Sequence, residues 1–371
     1  MDDLLEIKQA MFDNIYCGKR VLVTGDSGFK GSWLCAWLTR LGAEVCGISL
    51  PMQKPDHSSL LALDYRKNFC DIRDFEACAK IFADFSPEVV FHLAAQPIVR
   101  LSYAEPRFTF ETNVCGTVNI LECCRCTASV KAVVVISSDK CYENRETLHG
   151  YSENDPMGGY DPYSASKGCT ELTASCWSRS YFNPAEYGKK HHTLLASARA
   201  GNVIGGGDWA LDRLVPDLMK DAAAKRISLI RSPESVRPWQ HVLEPLSGYL
   251  LLGQKLLEGD TGIASGWNFG PAENSVITVL EAATALQKGW SDIRFEVSPP
   301  PDMPHEAKLL MLNCAKAASV LDWHSVWSAQ ETFEMTSRWY RDFYTEGKLS
   351  TFEQLDKYIC SATQRGYVWT K

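Results

Sequence analysis

Two short stretches of the sequence carry side chains that can move protons. Ser138, Asp139 and Lys140 directly follow an apolar run that predicts a buried parallel strand. Open parallel sheets bind their ligands at the carboxyl ends of the strands, where these three side chains would lie. Tyr163 and Lys167 are four residues apart at the predicted start of a helix, so they share one face. Because an ammonium group favours a phenolate, we expect Lys167 to lower the pKa of Tyr163, and we predict one active site from the two stretches.

A glycine-rich turn near the start of the chain predicts a dinucleotide site. The strand predicted over 20–24 is followed by Gly25, Gly28 and Gly31, and then by an apolar helix over 32–41. Glycines permit a tight turn and let backbone amides approach a pyrophosphate at the positive end of the helix. The order strand, glycine turn, helix favours this interpretation over an ordinary turn.

The residues that would contact the adenosine half of the cofactor leave its type open. Dinucleotide folds that bind NAD usually carry an acidic residue at the end of the second strand, and those that bind NADP carry an arginine. Here the strand predicted over 44–50 ends near Ser49, followed by Leu50 and Pro51. Since no arginine is close, we favour NAD. Asp71 is placed to accept a hydrogen bond from the adenine amino group.

The alternation of strands and helices predicts an α/β fold with a doubly wound, Rossmann-type parallel sheet. Further strands are predicted over 88–96, 130–136 and 193–198, separated by helices. The alternation becomes less regular after the glycine-rich loop that begins near Gly201. We therefore predict a dinucleotide-binding domain over 1–201. A smaller, interleaved domain over 202–371 would mainly bind the substrate, with chain exchange between the two.

Composition and charge exclude several classes of function. The chain has 371 residues and a net charge of -7, which argues against nucleic acid as the main partner. No apolar run is long enough to span a membrane, and the acidic start lacks the pattern of a secretory signal. We expect a cytoplasmic protein whose fourteen cysteines are reduced. No metal site is expected, because Cys123, Cys124 and Cys126 lack paired metal-ligand spacing.

Four motifs together resemble the extended short-chain dehydrogenase/reductase family. They are the glycine motif over 24–31, Asp71-Ile72, the segment 92–95 and Tyr163-x-x-x-Lys167. Within that family, the segment 138–142 takes the place of the Thr-Asp-Glu-x-Tyr segment of nucleotide-sugar 4,6-dehydratases. Lys140 stands where that segment has glutamate, which resembles the subgroup that acts on CDP-glucose. Longer runs agree, and the resemblance extends from residue 18 to about residue 345.

The resemblance implies a lyase that oxidises its sugar transiently and shows no net redox change. Tyr163 would take the proton of the 4-hydroxyl while hydride passes to bound NAD, and Ser138 would hydrogen-bond the oxygen at carbon 4. Asp139, kept protonated by burial, would donate to the departing 6-hydroxyl. Lys140 would remove the carbon 5 proton as a neutral amine, or would stabilise the enolate. The residues leave both roles open.

The resemblance also implies which residues hold the ligands. Arg237 is the favoured diphosphate contact, because guanidinium groups pair with phosphate oxygens. A homodimer or a dimer of dimers is implied, through helices around 107–126 and 163–182. The expected cofactor contacts are Gly25, Ser27, Gly28, Phe29, Lys30, Gly31, Asp71, Ile72, Leu93, Ala94, Ala95, Asn113, Tyr163 and Lys167. The expected substrate contacts, for CDP-glucose, are Gln96, Asn202, Arg213, Arg237 and His305.

Two other functions compete with this interpretation. A nucleotide-sugar 4-epimerase or 4-reductase on the same fold needs Tyr163, Lys167 and Ser138, but not an acid such as Asp139 beside Lys140. A non-catalytic nucleotide-binding regulator would be expected to have lost the tyrosine or the lysine, and both are present.

Overall fold

A computed structural model describes residues 11–51, 54–147, 149–210, 213–271, 276–298 and 310–371. The strands are β1 (Arg20–Thr24), β2 (Glu44–Ser49), β3 (Arg66–Phe69), β4 (Val89–His92), β5 (Ala132–Ile136), β6 (Leu194–Ala200), β7 (Asn202–Ile204), β8 (Ile227–Ile230), β9 (Val236–His241), β10 (Gly266–Phe269), β11 (Val276–Thr278) and β12 (Arg294–Val297). The α-helices are α1 (Phe29–Arg40), α2 (His57–Leu61), α3 (Phe75–Phe85), α4 (Val99–Ala104), α5 (Pro106–Phe110), α6 (Gly116–Cys126), α7 (Pro162–Ser180), α8 (Leu214–Ala223), α9 (Leu243–Leu257), α10 (Val279–Gly289), α11 (Ala315–Leu321), α12 (Ala329–Glu346) and α13 (Thr351–Gln364).

The central element is a parallel sheet, which confirms the predicted doubly wound fold. Its strand order over the described residues is β10-β6-β5-β4-β1-β2-β3, and every neighbouring pair is parallel. The order reverses between β1 and β4, so the connections that leave these two strands run in opposite directions. Such a reversal opens a crevice at the carboxyl ends of the strands, where ligands bind in this class of fold.

Strand β5 shows why the sequence forms a sheet covered on both faces. Its five residues are all buried, and successive side chains enter different apolar clusters. Val134 and Ile136 pack on one face, and Val133 and Val135 pack on the other. Burying one such side chain contributes about 1.5–3 kcal/mol, so a continuous apolar strand is stable only between two layers of helices.

The second half of the chain returns to the main sheet. Strand β10 pairs with β6, with Gly266 opposite Ser197 and Phe269 opposite Ala200. Two smaller sheets, β11-β9-β7 and β12-β8, lie outside the main sheet. The division into domains at residue 201 stays a prediction.

The chain over 106–126 does not form one continuous α-helix. Between α5 and α6 the chain forms one π-helical turn over Glu111–Cys115, which contains the buried Asn113. The side chain of Asn113 is held by three hydrogen bonds to the backbone of Gln96 and to Ser166. Single π-turns are frequent at functional sites, because they redirect one side chain out of the regular helical array.

Within the described part of the chain, none of the helices combines the length and the apolar character that crossing a bilayer requires.

Candidate active site

The end of β5 presents Ser138 and Asp139 at the crevice. Ser138 Oγ donates to Asp139 Oδ1 at 2.9 Å and accepts from the Lys140 amide at 3.2 Å. Serine thereby caps the short 3-10 turn Asp139–Cys141, a common use of serine ahead of a helical turn. Asp139 is only 4% exposed. The hydrogen bonds and the burial fix its carboxyl group beside the serine.

The first turn of α7 presents Tyr163 and Lys167. Asp161 accepts from the Ser164 amide at 3.0 Å, and Pro162 occupies the first helical position. Both residues are typical of helix starts, because the proline lacks the amide that would need a partner there. Tyr163 and Lys167 follow at buried positions one turn apart.

The two stretches meet, as predicted, but the expected direction for the pKa of Tyr163 is wrong. Ser138 and Arg213 lie close enough to the Tyr163 hydroxyl to influence its pKa. Burial raises the pKa of Tyr163 to about 12, outweighing Ser138 and Arg213, which lower it. The expectation of a lowered pKa rests on Lys167 alone. Removal from water destabilises the phenolate by more than its polar neighbours stabilise it.

Lys167 is itself strongly perturbed by burial. Its ammonium group donates to the Ile136 carbonyl oxygen at 3.4 Å. Burial lowers the pKa of Lys167 to about 8, opposed by Glu171 and Cys141. Close to neutral pH this lysine can therefore exist in either protonation state, as a proton-transfer residue requires.

Lys30 joins the same electrostatic field, although its sequence position predicted only a cofactor contact. Burial, together with the charges of Lys167 and Arg213, lowers the pKa of Lys30 to about 8, and Asp139 opposes the shift. Lys30, Lys167, Arg213 and Asp139 thus interact electrostatically around the end of β5. A negatively charged ligand placed there would meet a basic surface.

The glycine turn fits a dinucleotide pyrophosphate. Gly25 has a φ of +74°, and a side chain there would come within 2.8 Å of the Ala94 amide nitrogen. A side chain on Gly31 would overlap the Gly25 carbonyl oxygen. Gly28 precedes α1 and offers no side-chain cap, so the first-turn amides of that helix are open to an anionic ligand.

Replacing Gly31 with alanine is expected to abolish this cradle. Because the added methyl group meets backbone, the turn must shift. We expect NAD affinity to fall about 100-fold, because the backbone amides would no longer point at the pyrophosphate. Unfolding should become easier by about 1–3 kcal/mol from overpacking. Calorimetric titration with NAD and thermal denaturation measure the two effects. Gly262→Ala, at an exposed glycine without a positive φ, is the control. Unchanged NAD affinity in Gly31→Ala would contradict the assignment of the turn.

Two acidic side chains are relevant to the adenosine half of the cofactor, and the contact of Asp71 with adenine stays a prediction. Asp71 follows β3, but its carboxylate is paired with Arg73 at 2.7 Å, which lowers the pKa of Asp71. Another acid, Asp26, lies buried against Gly47 of β2 and accepts from the Tyr65 hydroxyl at 2.8 Å. Asp26 was not among the residues predicted to contact the cofactor. Its position inside the glycine turn was the available signal.

The remaining predicted cofactor contacts line the turn and β4. Ser27 donates to the Leu50 carbonyl oxygen at 3.3 Å, and Ile72 is buried against Gly116. Leu93, Ala94 and Ala95 follow β4, where the Ala94 amide donates to Thr24 Oγ1 at 3.1 Å. Phe29 opens α1. Their contacts with NAD stay predictions.

His92 of β4 is a buried residue whose ring is fixed by hydrogen bonds. Its ring nitrogens bond Thr24 Oγ1 at 2.7 Å and Thr117 Oγ1 at 2.9 Å. Burial lowers the pKa of His92 to about 3, with a further contribution from Lys167. The imidazole is therefore neutral at physiological pH.

The predicted substrate residues are found at several places around the crevice. Gln96 is buried, and its side-chain amide donates to Thr109 Oγ1 at 3.0 Å, so it is already engaged within the chain. Asn202 begins β7. Arg213 interacts electrostatically with Tyr163 and pairs with Asp208 at 3.0 Å. Their roles toward a substrate stay predictions.

Arg237 and His305 were also predicted to contact the substrate. Arg237 is 7% exposed on β9 and donates to the Val236 carbonyl oxygen at 2.9 Å. His305 lies outside the described residues.

Comparison with known proteins agrees with this site. The family model of GDP-mannose 4,6 dehydratase matches residues 22–336. A CDP-glucose 4,6-dehydratase of Salmonella typhimurium is 49% identical over 331 residues, covering 88% of this chain and 92% of the relative.

Two solved structures are similar in fold. The UDP-glucose 4-epimerase of Thermus thermophilus, in complex with NAD, has a TM-score of 0.74 at 26% identity, covering 87% of this chain and 99% of the epimerase. A dTDP-glucose 4,6-dehydratase of Streptomyces venezuelae has a TM-score of 0.73 at 24% identity, covering 87% of this chain and 97% of the dehydratase.

The family match extends over the segments that carry Ser138 and Tyr163, the glycine turn and strand β10. It confirms the resemblance to nucleotide-sugar dehydratases that the motifs had indicated. On the site geometry, the family model and the relative with 49% identity, the chain belongs to the GDP-mannose 4,6-dehydratase family of nucleotide-sugar-modifying enzymes.

Proposed function

We propose that this protein is a lyase that converts CDP-glucose to CDP-4-keto-6-deoxyglucose and water. The observation that carries the proposal is the 49% identity to a CDP-glucose 4,6-dehydratase over 88% of the chain. The presence of Ser138, Asp139 and Lys140 beside Tyr163 and Lys167 supports it chemically, since each step of the reaction needs one of these residue types.

NAD, when bound, supplies the transient oxidation by accepting hydride from carbon 4 of the sugar and returning it to carbon 6. The glycine turn and the open amides at the start of α1 would hold its pyrophosphate. Asp71 and Ile72 would contact the adenosine half. Since the hydride is returned in each cycle, no net NADH is produced.

Tyr163 would act as the base for the 4-hydroxyl. In this role the phenolate accepts the hydroxyl proton, and Ser138 and the charge of Arg213 favour that form against the effect of burial. Lys167 in its ammonium form would stabilise the phenolate, and it loses that charge as the pH rises through about 8. Ser138 would donate a hydrogen bond to the oxygen at carbon 4 as it becomes a ketone.

Asp139 and Lys140 would carry out the elimination of water. The ketone at carbon 4 acidifies the proton at carbon 5, and the hydroxyl at carbon 6 departs with a proton from Asp139. Asp139 is buried beside Ser138 in the turn that follows β5, which would place it at the departing hydroxyl. Lys140 would remove the carbon 5 proton or stabilise the enolate, and both roles remain open.

Mass spectrometry of the product tests the proposal. The purified protein with NAD and CDP-glucose is expected to give a sugar nucleotide that has lost one water, without net NADH. CDP-, dTDP-, GDP- and UDP-glucose should be compared under the same conditions to define the nucleotide. A 4-epimer without loss of water would contradict the dehydratase proposal and would support the epimerase instead.

We also propose a homodimer formed through α7 and the helices around 107–126. Leu172 of α7 is 60% exposed, and Phe110 and Leu101 of the neighbouring helices are also exposed. Exposed apolar side chains on adjacent helices are typical of an association surface. A dimer of dimers would need a second surface.

Replacing Leu172 with glutamate is expected to convert the dimer to a monomer, because a charge would have to be buried at the proposed interface. Size-exclusion chromatography with light scattering measures the mass. Leu229→Glu is the matched control, since Leu229 of β8 is also 60% exposed but lies far along the chain from these helices. Equal masses for the Leu172→Glu variant and the unmodified protein would rule out this interface.

The proposal also covers the substrate-binding part of the chain and the location of the protein in the cell. We propose that residues 202–371 mainly build the substrate-binding part, with β10 lying in the sheet of the other part. We also propose a cytoplasmic location, supported by fourteen cysteines that are all free thiols. Alkylation of the protein in intact cells, followed by peptide mapping, would test the second point. Disulfide-linked peptides would contradict it.

A further inference from the structure

A buried carboxylate lies one helical turn beyond the catalytic lysine. Glu171 of α7 is 4% exposed and follows Lys167 by four residues. Its Oε2 accepts from Ser197 Oγ at 2.7 Å and from Arg199 Nη2 at 2.8 Å, both on β6. Its Oε1 accepts from Ser137 Oγ at the end of β5. One carboxylate thus joins α7 to two strands of the sheet.

Arg199 extends this connection into the turn after β5. It is 4% exposed, and its Nη1 donates to the Tyr142 hydroxyl at 2.5 Å, while the guanidinium carbon lies 5.1 Å from the centre of that ring. The Tyr142 hydroxyl donates to Asn268 Oδ1 of β10 at 2.8 Å. Burial raises the pKa of Glu171, but Arg199 and the two serines lower it by more than burial raises it. The net effect is a lowered pKa, so the carboxylate stays ionised.

The free-energy cost of burying the Glu171–Arg199 pair indicates that the pair has a role other than stabilising the fold. Two fully buried charges must be removed from water, and apolar side chains of similar volume commonly hold a core equally well. The function of this pair should therefore be sought in its position. Ser137 directly precedes Ser138, and Lys167 precedes Glu171 by one turn. The carboxylate contacts the backbone segments that carry both halves of the catalytic site.

The surroundings of Lys167 make the charge of Glu171 relevant as well. Tyr163 and Glu171 lie near it on α7, and Cys141 and Asp139 lie on the turn after β5. Lys30 of α1 and His92 of β4 also interact with it electrostatically. His92 is neutral, and burial keeps Cys141 as a neutral thiol by raising its pKa. Glu171 is the largest influence that favours the ammonium form against burial.

We propose that Glu171 is a positioning residue for the active site, with Arg199 as its charge partner. It holds Ser137, and through it the Ser138-Asp139 turn, in register with Tyr163 and Lys167, and it supplies the counter-charge that keeps Lys167 protonated. The kinetic consequence rests on the proposed function, whereas the effect on Lys167 does not.

The protonation of Lys167 can be read directly by chemical labelling. Only the neutral amine reacts with acetic anhydride, so peptide mass spectrometry at a series of pH values gives the midpoint of Lys167 acetylation, with the exposed Lys80 as internal reference. In Glu171→Gln we expect this midpoint to move down by about one pH unit, because the counter-charge is lost. Glu171→Asp keeps the charge, so its Lys167 midpoint should lie close to that of the unmodified protein.

Two further variants separate the proposal from simple loss of folding. Because Glu171→Gln leaves Arg199 buried without its partner, the double variant Glu171→Met with Arg199→Met removes both charges and should fold. It should still show the lowered midpoint for Lys167. Glu244→Gln is the matched control, since Glu244 is a buried glutamate of α9 that accepts from the Val326 and Trp327 amides and from Tyr358.

The rate of NADH formation on mixing with CDP-glucose provides the second readout. For Glu171→Gln we expect about a 10- to 100-fold lower rate near pH 8 with little change in KM, in line with impaired proton transfer. Glu244→Gln should retain the rate of NADH formation and the KM of the unmodified protein. A Lys167 midpoint that is the same in Glu171→Gln, in the double variant and in the unmodified protein would overturn the proposal. If the unmodified protein fails to dehydrate CDP-glucose while the midpoint still shifts, the proposed function fails and this inference stands.

Discussion

Replacing Asp139 with asparagine is expected to stop the loss of water while leaving the first hydride transfer in place. The amide keeps the size of the side chain and can still accept from Ser138, which now donates to Asp139 Oδ1 at 2.9 Å. It cannot provide an acidic proton for the departing hydroxyl. General acid catalysis commonly contributes about 10²–10⁴-fold, so we expect product formation to fall about 1,000-fold.

Single-turnover mixing with CDP-glucose distinguishes the two steps. Absorbance of NADH should rise and persist in Asp139→Asn, whereas in the unmodified protein it should rise and decay as the hydride returns to the sugar. Asp155→Asn is the control, because Asp155 accepts from Ser152 in a turn whose contacts do not include the catalytic side chains. Loss of NADH formation in Asp139→Asn would assign this residue to hydride transfer instead of elimination.

Replacing Tyr163 with phenylalanine is expected to remove both steps. The phenyl ring preserves the packing of the buried side chain, but the group that accepts the 4-hydroxyl proton and the partner of Ser138 are lost. We expect the rate of NADH formation to fall about 1,000-fold or more, at the upper part of the usual range for a general base. Substrate binding should change little, because the tyrosine acts on the proton that moves.

The pH dependence gives this prediction a second test. In the unmodified protein the rate should rise with pH up to about 8, as more of Tyr163 becomes phenolate, and level off above it, where Lys167 loses its proton and no longer supports the phenolate. The residual rate of Tyr163→Phe should not follow that transition, because it has no phenolate to support. Tyr160→Phe, at a side chain 81% exposed three residues earlier, is the control. A rate in Tyr163→Phe close to that of the control would exclude Tyr163 as the base.

The order of elements was predictable because parallel sheets leave a strong pattern in the sequence. Strand β1 was predicted with the observed ends, and β5 was predicted two residues too long at its start. In both strands the apolar run matches the buried segment, so periodicity and burial carry the same information. The interruption at Glu111–Cys115 was not predictable from periodicity. It depends on hydrogen bonds from Asn113 to Gln96 and Ser166, which are distant in sequence.

The chemistry of the site was predictable in residue type but not in charge state. Tyr163 and Lys167 were identified from their spacing, yet the pKa of Tyr163 is raised because burial dominates, and burial depends on the whole fold. Lys30 was expected only at the cofactor, whereas the fold brings it within electrostatic reach of Lys167. Glu171 and Arg199 were not predicted, although a charged arginine in the mostly apolar β6 was an available signal.

The place of strand β10 limits how the molecule can open to admit its substrate. Four register pairs join Gly266–Phe269 to β6, and Asn268 of this strand bonds Tyr142 beside the catalytic turn. A hinge motion that separated the two halves of the chain would have to break this ladder, at a cost of several buried hydrogen bonds. We therefore expect access to be controlled by rearrangement of surface loops over a rigid sheet, so that the catalytic groups keep their relative positions throughout turnover.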